Sequence, residues 1–276
     1  MNLNAYRRNW LRWLKAYEKK SYKIMQKAFK DMGNQIPFDK LTPSTYQMYI
    51  EATLTTEQVA KAYEQIYYEI GVAHGVRMIK INEKQEKEIT SDDFIEQYRK
   101  GLYEWVLQFA GKRIESVSAT YKALIKELIA KGIQDNLTMS EITTQLEQLI
   151  NSPTFYRWQA MRIARTESTT AANRAGFLVG KQSKFIQQKV WISATDNRTR
   201  RTPPNEYDHL EMNTKRVDED EPFRLIDKWG VEELIMYPGA VETIFDTPTH
   251  AGNIINCRCS HAMVPKEDAN GNLIRR

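Results

Sequence analysis

The residues best suited to chemistry lie in the last quarter of the chain. Cys257 and Cys259 flank Arg258, and three of the four histidines, His209, His250 and His261, fall in the same stretch. Two thiolates and two imidazoles form the tetrahedral donor set that zinc prefers. Cys257, Cys259, His209 and His250 are therefore predicted to hold a structural zinc, with His261 as the substitute ligand. Four protein ligands would make the site closed and non-hydrolytic. A turn-rich segment gains most from such a staple, because metal binding adds directly to folding free energy. The C-x-C spacing differs from the usual C-x2-C knuckle. The alternative leaves the cysteines as small buried residues and the histidines as hydrogen-bonding loop residues.

Other chemistry is thinner. Asp196 with His209 and Glu211 could be assembled into a nuclease-like acid/base group. Arg198, Arg200 and Arg201 beside it could contact phosphate or pair with the acidic run 218–221. The sequence has no G-x-G-x-x-G, Walker loop, G-x-S-x-G or H-E-x-x-H. At the other end, residues 1–32 carry nine Lys and Arg against Glu18 and Asp31. Arg7, Arg8, Arg12, Lys15, Lys19 and Lys20 interleave with Trp10 and Trp13, which suggests an acidic partner such as nucleic acid or an acidic protein face. The alternative is a solvated helix whose aromatics dock on the protein's own core.

The elements that must position these residues are mostly helical. Tyr6, Trp10, Trp13, Tyr17, Met25 and Phe29 recur at steps of three or four. Pro37 and Pro43 bracket a loop. A long helix follows, with Val59, Tyr63, Ile66 and Ile70 on one face, and Gly71 and Gly75 permit a close crossing. His74 between those glycines is expected to be packed and hydrogen-bonded. Ser91 with Asp92 and Asp93 is expected to cap a helix striped by Phe94, Tyr98, Leu102, Val106 and Phe109. Tyr121, Leu124, Ile125, Leu128 and Ile129 mark another, ending near Gly132. Thr138 and Glu141 make a capping box, and Ser152–Pro153 should open a last long helix. That helix pairs a small-residue stripe with a polar one, Arg162, Thr166, Thr169 and Asn173, expected to be a polar face with local Arg–Glu pairs.

Near Gln187 the texture changes. Val190–Ala194 is β-like, and six of the nine prolines follow residue 200. The fold class is mainly α, a helical N-terminal domain plus a small turn-rich α+β C-terminal domain with short strands. The boundaries read as a basic amphipathic arm 1–32, a helical domain 33–187, a small domain 188–265 and a loose polar tail 266–276. Hydrophobic content of 41% and aromatic content of 11% suit a globular chain, and the net charge of +5 is mild. No apolar run approaches the length of a membrane span, and no secretory leader is expected. Two cysteines in C-x-C spacing point to a reducing compartment.

Three segments in order carry a resemblance. Ile163-Ala164-Arg165-Thr166-Glu167 precedes Asn173 and Gly176. Trp191-Ile192-Ser193-Ala194-Thr195-Asp196-Asn197-Arg198 then leads to His209-Leu210, and Pro248–His250 leads to Asn256-Cys257-Arg258-Cys259. This order, over about 138–264, resembles the phage head morphogenesis family, the Mu F-like minor head proteins. Arg165, Thr166, Glu167, Trp191, Asp196 and Arg198 stand at its motif positions. The resemblance implies a non-enzymatic minor capsid component at the portal vertex. Its partners would be the portal protein, the inner capsid or scaffold, and phage DNA. Its location would be the virion, reached through the host cytoplasm, with no membrane. Some relatives carry a further toxin or transferase domain, which is not expected here. This chain departs from the pattern in Met212 and Asn213, where glycine is common, and in an inserted Ala251–Ile255 before the Asn-Cys-Arg-Cys segment. The rival function is a genome-delivered effector enzyme, a nuclease or ADP-ribosyltransferase, for which Glu167, Asp196 and Glu211 would be the acidic residues.

Overall fold

A computed structural model describes residues 2–82, 90–105, 110–152, 154–241, 243–245 and 247–276. The expected positions Val106, Phe109 and Pro153 lie outside them. The helical part comprises α1 (Leu3–Gly33), α2 (Tyr46–Thr53), α3 (Glu57–Asn82), α4 (Ser91–Trp105), α5 (Gly111–Gln134), α6 (Met139–Asn151) and α7 (Arg157–Lys181). The small part comprises β1 (Gln187–Ile192), β2 (Arg216–Asp218), β3 (Phe223–Ile226), β4 (Glu232–Ile235), α8 (Ala251–Ile254) and β5 (Ser260–Pro265).

Local signals mark most boundaries. The Thr138–Glu141 capping box opens α6 with both reciprocal bonds formed. At α4 the cap is Thr90, one residue before the expected Ser91, because its hydroxyl receives the Asp93 N–H at 3.1 Å. The close crossing at Gly71 and Gly75 is made by α4. A Cβ there would fall 2.0 Å from the Tyr98 hydroxyl and 2.1 Å from the Phe94 ring. The last long helix begins at Arg157, after a turn, four residues beyond Pro153.

The aromatic stripe of α1 docks on the protein's own core. Tyr6, Trp10, Leu14, Tyr17, Met25 and Phe29 are buried in one cluster with α3, α5, α6 and α7. Its centre is an edge-to-face cage in which Trp10, Trp13 and Tyr17 surround the His74 ring at 5.5–6.0 Å. That same core receives Val190, Ile192 and Ala262 from the strands.

The small part is built on an antiparallel sheet of order β2-β1-β5, with a separate β3-β4 hairpin beside it. Strand alternation splits β1 between two cores. Val190 and Ile192 face the helices. Trp191 faces a second cluster containing Tyr207, Phe223, Leu225, Ile235, Cys257 and Cys259. The tail differs from expectation, being laid along the chain before β1. Ile186 N–H donates to Ile274 at 2.9 Å, Arg276 N–H donates to Lys184 at 2.8 Å, and Arg276 pairs with Glu219 at 2.6 Å. The Asp268 carboxylate closes the reversing turn by accepting the N–H groups of Asn270 and Asn272. Among the described residues no helix is long and apolar enough to cross a membrane.

Burial, helped by the neighbouring Arg77 charge, pulls the His74 imidazole down to about 3. An unfolded histidine titrates near 6.5, so the unfolded chain binds the extra proton first and stability is lost as pH falls from about 6.5 toward 3. Replacing His74 with Gln is expected to shrink the stability difference between pH 7 and pH 5 by about 2 kcal/mol. Urea titrations at the two pH values measure this, and an unchanged difference would count against a neutral buried His74.

Candidate metal centre

The site starts on α7. Of its polar stripe, expected as a solvated face, Arg162 is exposed, but Thr166, Thr169 and Asn173, with Thr170 beside them, are at most 4% exposed. The reason is the irregular backbone packed against it, whose carbonyls need donors. Thr169 Oγ1 donates to Cys257 O at 2.7 Å, and Asn173 Nδ2 donates to both Cys259 O and Pro238 O. Thr170 Oγ1 donates to Gly239 O, and Thr166 Oγ1 accepts the Asn256 N–H. From the other side α1 supplies the Trp10 indole N–H to Arg258 O at 2.9 Å and the Tyr6 hydroxyl to His261 O at 3.0 Å. Asn256 itself turns the chain into Cys257 at φ 56°, a left-handed conformation Asn tolerates better than most residues.

Held this way, the two thiols meet His209. The Nδ1 atom of His209 lies 3.6 Å from the sulfur of Cys257 and 3.6 Å from that of Cys259, and all three residues are buried. Both cysteines are free. The hydrogen bond between the thiols pulls Cys257 well below the ordinary thiol range and pushes Cys259 above it. His209 is held at its ring and its backbone. Trp191 packs edge-on at 5.6 Å, Ser193 Oγ donates to the His209 carbonyl, and Asn253 Oδ1 lies 2.9 Å from Nε2. Asn253 Nδ2 in turn donates to Glu233.

These three side chains form a group able to hold a metal ion, and among the described residues it is the one such His/Cys/Asp/Glu group. A tetrahedral zinc with Zn–S near 2.3 Å and Zn–N near 2.05 Å requires an N-to-S edge of about 3.6 Å. The donor set and its spacing fit. The fourth predicted ligand is a correction. His250 is over half exposed at its side chain, accepts the Gly252 N–H to cap α8, and lies 3.2 Å from Glu206. His261 sits across β1 opposite Trp191, against Tyr237 and Phe177, and burial pulls its ring down to about 3. His250 is spent on the start of α8, while Asn253, three residues on, points its Oδ1 at His209.

The other motif residues are structural anchors in separate places. Glu167 is buried on α7, paired with Arg113 and bonded to the Tyr67 hydroxyl at 2.8 Å. Burial raises its carboxyl above the usual range, against the Arg113 charge. Asp196 pairs with Arg258, whose bond and charge outweigh partial burial and hold it below the usual range. Arg198 donates its N–H to Asp196, and Arg165 lies near the half-buried Glu18. Glu211 pairs on the surface with Lys215. Asp196, His209 and Glu211 therefore do not form the acid/base group that their sequence proximity suggested. Asn253 and Glu233 escaped the sequence reading. The one signal was an acidic residue at the inward phase of β4, next to Leu234 and two before buried Ile235.

Asn173 can be tested directly. Asn173→Ala strands the buried Pro238 and Cys259 carbonyls and removes one acceptor of the Ser260 hydroxyl, and is expected to cost about 2–4 kcal/mol in urea unfolding. A loss below about 0.5 kcal/mol would show that the rail on α7 is not what holds the Cys segment.

The family model described as Phage Mu protein F like protein matches residues 123–262. That range begins within α5 and includes α6, α7, β1 to β4, the first half of β5 and the three candidate ligands. No curated protein and no solved structure matches the chain. The match covers half of the sequence and contains the buried α7 rail together with the Cys segment it holds. The chain belongs to the phage Mu protein F like family of head morphogenesis proteins.

Proposed function

We propose that the protein is a non-enzymatic minor head component of the virion that sits at the portal vertex and touches packaged DNA. The observation carrying the DNA contact is the outer face of α1. Arg8, Arg12, Lys15, Lys19, Lys23, Lys27 and Lys30 are all exposed and recur at steps of three or four, one ridge about 33 Å long. None of these seven is in an ion pair among the described residues, whereas Lys20 pairs with Glu69 and Arg7 bonds to Asn213. Trp10 is buried and Trp13 is packed against Tyr6 and His74, so neither is placed to stack on bases. The ridge therefore reads phosphate charge and not sequence.

Portal contact is assigned to the small part. Trp229 and Phe245 are each about two-thirds exposed, and Ile226 and Val231 lie on the same hairpin. Ile244, whose N–H donates to Leu234, brings its segment beside β4. Several large exposed apolar side chains on this hairpin and the segment beside it suit a protein interface. The Cys257, Cys259 and His209 group is proposed to hold a zinc ion that staples α8 and β5 to the loop carrying His209. Zinc would cross-link these segments, and with three protein ligands its fourth position would be left to a further donor.

The two contacts separate by salt. Arg12→Gln, Lys19→Gln and Lys27→Gln together are expected to lower duplex DNA affinity and reduce the slope of log K against log salt by about 3. An unchanged slope would remove the ridge from the DNA contact. Trp229→Ala with Phe245→Ala is expected to abolish co-purification with the portal protein of the same phage at high salt, while leaving DNA binding intact. Mass spectrometry of purified particles should find the wild-type chain at low copy number; its absence from particles would overturn the virion assignment.

A further inference from the structure

Asn253 and Glu233 contact neither sulfur, yet they decide which nitrogen of His209 faces the thiols. Glu233 projects from β4 and is 8% exposed. Its Oε1 accepts the His250 N–H at 2.5 Å and its Oε2 accepts the Asn253 amide. An ionised carboxylate only accepts, so the amide nitrogen of Asn253 must point at Glu233 and its Oδ1 must point away. That oxygen lies 2.9 Å from His209 Nε2. Because Oδ1 has no proton to give, Nε2 must carry one. In the neutral ring the free lone pair then belongs to Nδ1, which stands 3.6 Å from each sulfur.

We propose that Glu233 and Asn253 are positioning residues that lock His209 as a proton carrier at Nε2 and aim Nδ1 as a metal donor between Cys257 and Cys259, for a soft divalent ion such as zinc. The proposal rests on the zinc reading above and adds how the third ligand is set. Asn253 lies in α8. Arg200 clamps that helix by donating to the carbonyls of Asn253 and Ile255. The helix thus takes His250 as its cap and supplies the residue that orients His209. Carboxylate-anchored relays of this kind typically set ligand basicity and ring angle, and their loss weakens metal binding 10–100-fold.

The test uses the reduced full-length protein with 15N-labelled histidine. In the metal-free chain, long-range proton–nitrogen spectra are expected to show His209 protonated at Nε2, and Asn253→Ala is expected to lose that fixed state. With 113Cd bound, scalar coupling should run from the metal to Nδ1. Competition with a chromophoric chelator should give zinc binding near one per chain, about 10–100-fold weaker in Asn253→Ala. The double variant Asn253→Asp with Glu233→Gln reverses the amide and the carboxylate while keeping every donor and acceptor. It should recover both the Nε2 proton and most of the affinity, which a merely structural role for Asn253 would not predict. An unprotonated Nε2 in the wild type, or a double variant no better than Asn253→Ala, would overturn the positioning role. An Nε2–H signal in a protein that takes up neither zinc nor cadmium would overturn the zinc reading and the donor role together, leaving a metal-free structural relay.

Discussion

The structure depends on the need to give every buried carbonyl of an extended Cys segment a donor. The carbonyls of Cys257, Arg258, Cys259 and His261 are taken by Thr169, Trp10, Asn173 and Tyr6 respectively. Two helices far apart in sequence, α1 and α7, thus hold the same five residues from opposite sides. A buried unpaired carbonyl costs on the order of 1–3 kcal/mol, so this set fixes the segment's path more sharply than apolar packing alone could.

That constraint explains the composition of α7. Small residues on one stripe let it approach its neighbours, while hydroxyl and amide side chains on the adjacent stripe serve the backbone beside it. In isolation such a helix looks weakly amphipathic, because residues buried as donors are counted as polar. It explains α1 as well. The inner face contributes aromatic bulk together with an indole N–H and a phenol hydroxyl, while the outer face is left free to carry lysine and arginine. The same helix thereby anchors the Cys segment on one face and presents the cationic ridge on the other.

The charges inside follow the same economy. Glu167 is matched by Arg113 and tyrosine hydroxyls, Asp196 by Arg258, and Glu219 by Arg276 and Lys181. Lys189 is the exception. It is fully buried between the Phe177 and Phe223 rings, and burial draws its amine down to about 8. Ring faces stabilise the cation only in part.

Periodicity and capping determined the helices, because steps of 3.6 and a side chain that bonds the next turn act within a dozen residues. The mainly α class, the Thr138 box, the glycine crossing and the change near Gln187 were all legible that way, as was the motif order shared with the family. The candidate metal group was half legible. Residue types named Cys257, Cys259 and His209, yet nothing local distinguishes His250 from Asn253, since which of them turns inward is set by a four-residue helix pinned by Arg200. Trp10 was left open between two readings for a related reason: an aromatic among cations looks the same whether its partner is a base or the chain's own carbonyl. Only the tertiary structure decided which polar residues are buried, because a donor becomes worth burying once a distant backbone group arrives to meet it.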